Sequence, residues 1–216
     1  MNDWLTHAFS LICGQHPEHL WAPGDLPLSC CQRCTGLYAG AALAFALHLL
    51  FRPPPTTRSR WMHGMFLLQI APFGFHRVPQ GPVLRTVTGA LFAFGVVAFL
   101  WAPAADLVTQ ITNLLSRRSL IRRRHGAPTV RQLEIGDPAD LKSASRGRNA
   151  AYGFGLAATL VLMLAAARWG GRFGFLVLSW LAVLGVLVLA ALALTNLGLG
   201  VGALLKLLRT KRTLPA

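Results

Sequence analysis

All four cysteines of this chain fall within one short N-terminal stretch, at Cys13, Cys30, Cys31 and Cys34, and histidines stand among them at His16 and His19. The order is Cys13-Gly-Gln-His16, then after a gap Cys30-Cys31-Gln-Arg-Cys34. A Cys-x₂-His box followed by Cys-x₂-Cys has the spacing of zinc ligands, because an i, i+3 pair aims two side chains at one point, as a tetrahedral ion requires. Cys13, Cys31 and Cys34 with His16 or His76 would complete a Cys₃His site. Two other chemistries fit the same residues. One is a structural disulfide, if the segment faces an oxidising compartment. The other is a set of free or transient thiols, in which Cys31 and Cys34 cycle, Cys13 or Cys30 resolves, and Arg33 lowers the attacking thiol's pKa. The ion expected in the first case is zinc, or another transition metal. No other cofactor is expected.

What must position these residues is a membrane bundle. The chain has 216 residues, 54% hydrophobic and 13% charged, against about 25% charged in an average soluble domain. Its mean hydropathy is +0.50. Such a composition cannot cover an aqueous surface, and it predicts an all-α, polytopic integral membrane helix bundle. A spanning helix needs about 20 apolar residues. Five stretches approach that length: 35–51, 61–75, 83–101, 150–167 and roughly 173–205. The second reaches only about 23 Å at the helical rise, and Pro72 should kink or end it. The fifth is too long for one upright crossing, so it tilts strongly or bends near Thr195-Asn196. Trp61, Trp101 and Trp169 fall at predicted ends, where aromatic belts sit.

The charge is lopsided, with 21 Lys and Arg against 7 Asp and Glu, or +14. Arg and Lys cluster in the 50–60 loop, in the long loop after Trp101 and in the C-terminal tail. With five crossings these lie on one side, which the positive-inside rule assigns to the cytoplasm. The N-terminus is then outside and the C-terminus inside. Targeting falls to the first span, since residues 1–13 lack the layout of a cleavable signal. The expected location is the cell inner membrane, as a multi-pass protein. The expected organisation is an extracytoplasmic Cys/His segment (1–34), a three-span core (35–102), a basic cytoplasmic loop (103–149), and two C-terminal spans with a basic tail (150–216). Within the loop, Leu107, Ile111, Leu114, Leu115 and Ile121 recur at helical spacing opposite arginines. That predicts an amphipathic surface helix on the inner leaflet, followed by a polar linker. The partners expected are the bilayer, anionic lipids at the basic loop, and either a membrane-protein partner or a second copy of the chain. No nucleic acid is expected.

Gly36 and Gly40, and Gly89 in the third span, are small residues that let helices approach closely in lipid. His76, Arg77, Gln80 and Arg85 collect on the predicted outer side, beside Arg33. Arg33, Gln80 and Arg85 are therefore expected to support the site or hold an anion. His48 and His63 lie in or near spans toward the inner side, as packing residues or as relays. The chain has no G-x-S-x-G, Walker loop or H-E-x-x-H. Carboxylates are too scarce for paired-carboxylate hydrolysis or a carboxylate-driven proton pump. No catalytic residue is assigned.

Pro27-Leu-Ser-Cys-Cys31-Gln-Arg33-Cys34-Thr-Gly-Leu-Tyr38-Ala-Gly40 resembles the signature of a family of small prokaryotic membrane proteins catalogued as domain of unknown function two thousand and eighty-five. That signature runs Pro-x-Cys-x-Arg-Cys-Thr-Gly-[Ile/Leu]-Tyr-x-Gly. A second family block, with Pro, Asp, a nearby Gln and Arg-x-x-Thr-Gly, is matched by Pro72, Gln80, Arg85, Thr88 and Gly89, with His76 in the Asp place. The resemblance spans roughly residues 11–95. Gly14 stands where the family usually has His after its first Cys. The resemblance implies a membrane protein with a cysteine-centred site, and it carries no activity with it.

Overall fold

The computed structural model describes residues 3–53, 56–74, 78–123 and 138–212 of the chain. Among these there is no strand, only an isolated antiparallel bridge between Leu20 and Cys31. The helices are α1 (Asp3–Ser10), α2 (Gln32–Phe51), α3 (Thr57–Leu68), α4 (Ile70–Gly74), α5 (Pro82–Arg123), α6 (Pro138–Trp169) and α7 (Gly171–Arg212). The protein is an all-α membrane bundle. Four helical segments are long and apolar enough to cross a membrane: Gln32–Phe51, Pro82–Leu107, Arg146–Trp169 and Gly171–Leu205.

The expected second span, 61–75, is two short helices. Proline's ring clashes with the carbonyl four residues back and removes one ladder bond. For Pro72 that carbonyl belongs to Leu68, where α3 ends. α3 and α4 nonetheless run the length of the bundle. His63 meets Tyr152 near the C-terminal end of α2, while Phe73 and Gly74 meet Arg33 at its N-terminal end. The chain thus passes back and forth five times between a cysteine end and a His48 end, although only four of the passes are long and apolar.

Helix α2 is the centre, and small residues let its neighbours close on it. A Cβ on Gly36 would collide with the Thr86 carbonyl oxygen, and one on Gly89 with that of Arg33. One on Gly40 would lie 2.8 Å from the Ala90 Cα. On the opposite side, a Cβ on Gly185 of α7 would collide with the Tyr38 carbonyl. Backbone approach of this kind supplies the dispersion contacts that hold helices together in lipid, where apolar burial gives little. Ala41, Ala44, Ala93, Phe94 and Val97 fill the resulting core.

Two long helices depart from the sequence expectation. Residues 106–123 are not a separate surface helix; they continue α5 without a break, through Pro103. Proline inside a spanning helix is tolerated when neighbours satisfy the disturbed carbonyls. Here Asn196 of α7 donates to the Leu100 carbonyl, 2.9 Å away, one residue from the carbonyl that Pro103 leaves unbonded. The polar stretch after Gly136 also differs from the linker expected there. From Pro138 onward it is the start of α6, with proline at the first helical turn, where it costs no hydrogen bond. α7 remains one helix through Thr195-Asn196.

Candidate metal centre

Three sulfurs converge at the N-terminal end of α2. The Sγ atoms of Cys13, Cys31 and Cys34 all lie within 4.8 Å of one another. None is in a disulfide. They come from two separate segments, each held by its own local structure.

Cys13 follows α1, where its amide and that of Ile12 both donate to the Phe9 carbonyl, at 2.9 and 3.1 Å. Phe9 is buried against Tyr38 of α2, with ring centroids 5.6 Å apart. The chain then turns at Gln15, whose φ of 44° is left-handed. Its side-chain amide donates to the Thr6 and Ser29 carbonyls, at 2.8 and 2.7 Å, clasping α1 to the strand-like entry into α2. Trp21 anchors the same segment by donating its indole N–H to the Thr86 hydroxyl of α5 at 2.8 Å. The turn at Gly24 and Asp25 is left-handed, and a Cβ on Gly24 would meet Gly171 and Arg172, so this turn seats on the α6–α7 junction.

Cys31 is the N-cap of α2 and Cys34 stands in its first turn. The i, i+3 spacing places both on one face. The Cys31 amide donates to the Cys13 sulfur at 3.2 Å. The unsatisfied amides and dipole of a helix N-terminus favour thiolate there. Hydrogen bonds from the Cys31 and Cys34 side chains hold the Cys13 thiol far down, to about 2. Cys30 behaves differently. It is buried, its sulfur lies 3.4 Å from the Thr35 hydroxyl, and burial pushes its thiol up to about 12. It stands outside the trio.

Arg33 points away from the sulfurs and fastens the return leg. It donates to the Phe73 carbonyl at 2.8 Å, the Gly74 carbonyl at 3.3 Å and the Gln80 side-chain oxygen at 2.9 Å. Gln80 donates in turn to the Phe73 carbonyl at 2.6 Å. The pair thus forms one polar knot over the end of α4. Arg85 is half-buried at the start of α5, and no side-chain hydrogen bond joins it to this knot. His16 is exposed, with its ring edge-on to His19 at 5.8 Å, and it is not among the converging ligands. His76 lies outside the described residues.

Sequence reasoning missed Gln15, Trp21, Gln69 and Thr86, whose side chains lock the segments. Gln69 donates to the Thr88 carbonyl of α5 at 2.6 Å. The signal available was a polar residue inside an otherwise apolar stretch.

Residues 13–99 match the model of a family described as predicted membrane protein (DUF2085). The match begins at Cys13 and takes in α2, α3, α4 and the first part of α5. The resemblance read from the sequence stands over those residues, less than half of the chain. No curated protein and no solved structure matches.

Proposed function

We propose that this protein is a multi-pass protein of the bacterial inner membrane whose Cys13, Cys31 and Cys34 bind one thiophilic transition-metal ion, zinc being the first choice, at the outer end of the bundle. The observation that carries this reading is the convergence of three unpaired sulfurs from two segments within 4.8 Å. Zinc–sulfur bonds of about 2.3 Å suit such a group. An amide donated to the Cys13 sulfur supports the thiolate form that ligation needs. The fourth position is left to a histidine or to solvent. His16 would have to swing in from its exposed position, and His76 is the other choice. An N-terminus outside and a C-terminus inside are supported by the positive-inside rule, since Arg52, Arg58 and Arg60 stand at the His48 end, where α6 begins.

The test is metal content and thiol count on one sample of the full chain, purified without chelator. One equivalent of metal is expected, with the three thiols becoming reactive only after chelation. A metal-free protein with a reducible Cys31–Cys34 pair would replace this reading by membrane thiol–disulfide exchange. The seat of Cys31 on the N-cap of α2 favours that as the second reading. An inert, metal-free disulfide would leave a non-enzymatic scaffold.

A further inference from the structure

At the cysteine end of the bundle a groove of about 110 Å³ opens between α2 and α4. Leu37 of α2 and Ile70 and Phe73 of α4 form its walls, and Gly89 and Phe92 of α5 form its floor. Ile70 is exposed, so the groove is open on the side of the bundle. Its lining is almost wholly apolar, and Arg33 also lines it.

Charge stands at one end of this groove. Arg33 lies in the first turn of α2 and Arg85 in the first turn of α5. Gly89 and Phe92 follow Arg85 at i+4 and i+7, so the three share one face of α5. Arg85 is therefore the next step of the groove floor toward the membrane surface. Helical side chains lean toward the N-terminus of their own helix, which carries the Arg85 guanidinium further outward. From Arg85 to Phe92 the floor descends about 10 Å at the helical rise.

Neither arginine has a counter-ion. Asp and Glu are absent from residues 26–105, and no ion pair joins either guanidinium to a carboxylate among the described residues. The acceptors that Arg33 holds are all neutral: the Phe73 and Gly74 carbonyls and the Gln80 oxygen. A guanidinium carries five donors, so Nε–H and one N–H of Nη1 are left without a partner among the described residues. Arg85 is half-buried and makes no side-chain hydrogen bond there. A free arginine at a helix mouth swings its charge out to water or headgroups. Arg33 lacks that freedom, because its bonds to Phe73, Gly74 and Gln80 fix the guanidinium over the end of α4. A fixed positive charge above an apolar slot matches an amphiphile with an anionic head.

We propose that this groove binds one anionic glycerophospholipid of the adjoining leaflet, with its phosphate on Arg33 and Arg85 and the upper part of one acyl chain along Leu37, Ile70 and Phe92. Guanidinium groups meet phosphate oxygens in charge-assisted hydrogen bonds, and the apolar walls take the methylene groups. Free phosphate would satisfy the charge and leave the slot empty. A neutral amphiphile would fill the slot and leave the charge uncompensated. The anionic lipid does both, and it braces α4 against α2 and α5 on the one pass that is not long and apolar. The site uses none of the three sulfurs and does not depend on the metal reading.

The test is native mass spectrometry of the full chain in a non-ionic detergent, titrated with dioleoyl phosphatidylglycerol, with dioleoyl phosphatidylcholine and with inorganic phosphate. One phosphatidylglycerol is expected to bind ahead of any further adduct, more tightly than phosphatidylcholine and without displacement by excess inorganic phosphate. Arg85→Gln should weaken this first adduct roughly tenfold or more, the effect of losing one charge-assisted bond to phosphate. Ile70→Trp fills the slot without touching either charge and should weaken it too. Arg172→Gln, which removes an exposed arginine at the same end, should leave it at the parental level. Equal binding of the two lipids, displacement by inorganic phosphate, or a first adduct unchanged by Arg85→Gln or by Ile70→Trp overturns the proposal. An equal loss in Arg172→Gln also overturns it, since that is general attraction to a basic surface. Should Arg85→Gln not fold, Ile70→Trp decides: a weakened first adduct supports the groove, and parental binding overturns it.

Discussion

The backbone amide of Cys31 donates to the sulfur of Cys13 across a separation of 18 residues, at 3.2 Å. This bond joins the segment after α1 to the N-cap of the central helix, and its acceptor is a thiol. A neutral thiol is a weak acceptor, and a charge-assisted bond is roughly twice as strong as a neutral one. The fold therefore favours negative charge on Cys13, at a point where the α2 N-terminus and the other two thiols also stabilise it.

Loss of any member of the trio should abolish metal binding, because three sulfurs are the fewest that hold an ion with one position left over. Cys13→Ser, Cys31→Ser and Cys34→Ser are each expected to purify with less than a tenth of the parent's metal. Cys30→Ser should retain it, since the Cys30 sulfur faces Thr35 rather than the trio. Elemental analysis of the four variants decides this. Equal loss in Cys30→Ser would show that the trio is not the unit.

The bundle predicts a sharp contrast between glycines. Gly36→Ala should place a methyl group against the Thr86 carbonyl, and Gly185→Ala one against that of Tyr38, whereas Gly198 has nothing within 4 Å. Overpacking against rigid backbone costs about 1–3 kcal/mol, occasionally more. Gly36→Ala and Gly185→Ala should accumulate poorly and melt lower, with Gly198→Ala close to the parent. Thermal scans in one detergent measure it, and a similar loss in Gly198→Ala would mean that glycine flexibility, not close approach, governs stability.

Which parts of this were legible in the sequence follows from how local each signal is. The x₂ spacing of Cys31 and Cys34 is a helical repeat, readable wherever a helix begins there, and the small residues at Gly36 and Gly40 announce a close neighbour. The membrane class needed only composition. The shortness of 61–75 and the role of Pro72 were also readable, but its full return across the bundle was not, because Gln69, Arg33 and Gln80 hold it through tertiary bonds. The continuity of α5 through Pro103 depends on Asn196, from a different helix. The pairing of His63 with Tyr152 spans 89 residues, and no periodicity reports it.

The Arg33 knot should not accept lysine. Its guanidinium serves two carbonyls and the Gln80 oxygen from one planar group, and a lysine ammonium cannot reproduce that fork. Arg33→Lys should leave an acceptor or two poorly paired at the end of α4, costing about 1–3 kcal/mol. A lower melting temperature and faster proteolysis near Gly74 are expected. Retention of parental stability would show that water serves the carbonyls as well.

Orientation is tested by reporter fusions after Ser59, Arg146 and Ala216. All three are expected to report cytoplasm, because Lys and Arg gather in the 50–60 loop, the long loop after Trp101 and the C-terminal tail. A periplasmic signal at any one would break the five-pass path, and a signal at Ser59 alone would point to α2 as the error.

The last expectation concerns alkali. Cys30 carries a thiol whose pKa is pushed from 9.0 up to about 12 by burial. In the unfolded chain the same thiol ionises near its ordinary value, so the unfolded state loses its proton first as pH rises. A folded pKa above the unfolded one means that the stabilising contribution is complete below pH 9 and is lost between pH 9 and about 12. The unfolded chain releases other protons over the same range, so the parent's curve alone does not isolate the effect. The difference between the parent and Cys30→Ala does. Cys30→Ala should melt lower than the parent at pH 7 through its lost packing, and the gap should narrow as pH rises above 9. Maleimide should modify Cys30 in the folded protein only at the alkaline end of that range. A gap that stays constant to pH 11, or rapid modification of Cys30 at pH 7, would show that this sulfur is neither buried nor protonated as the fold requires.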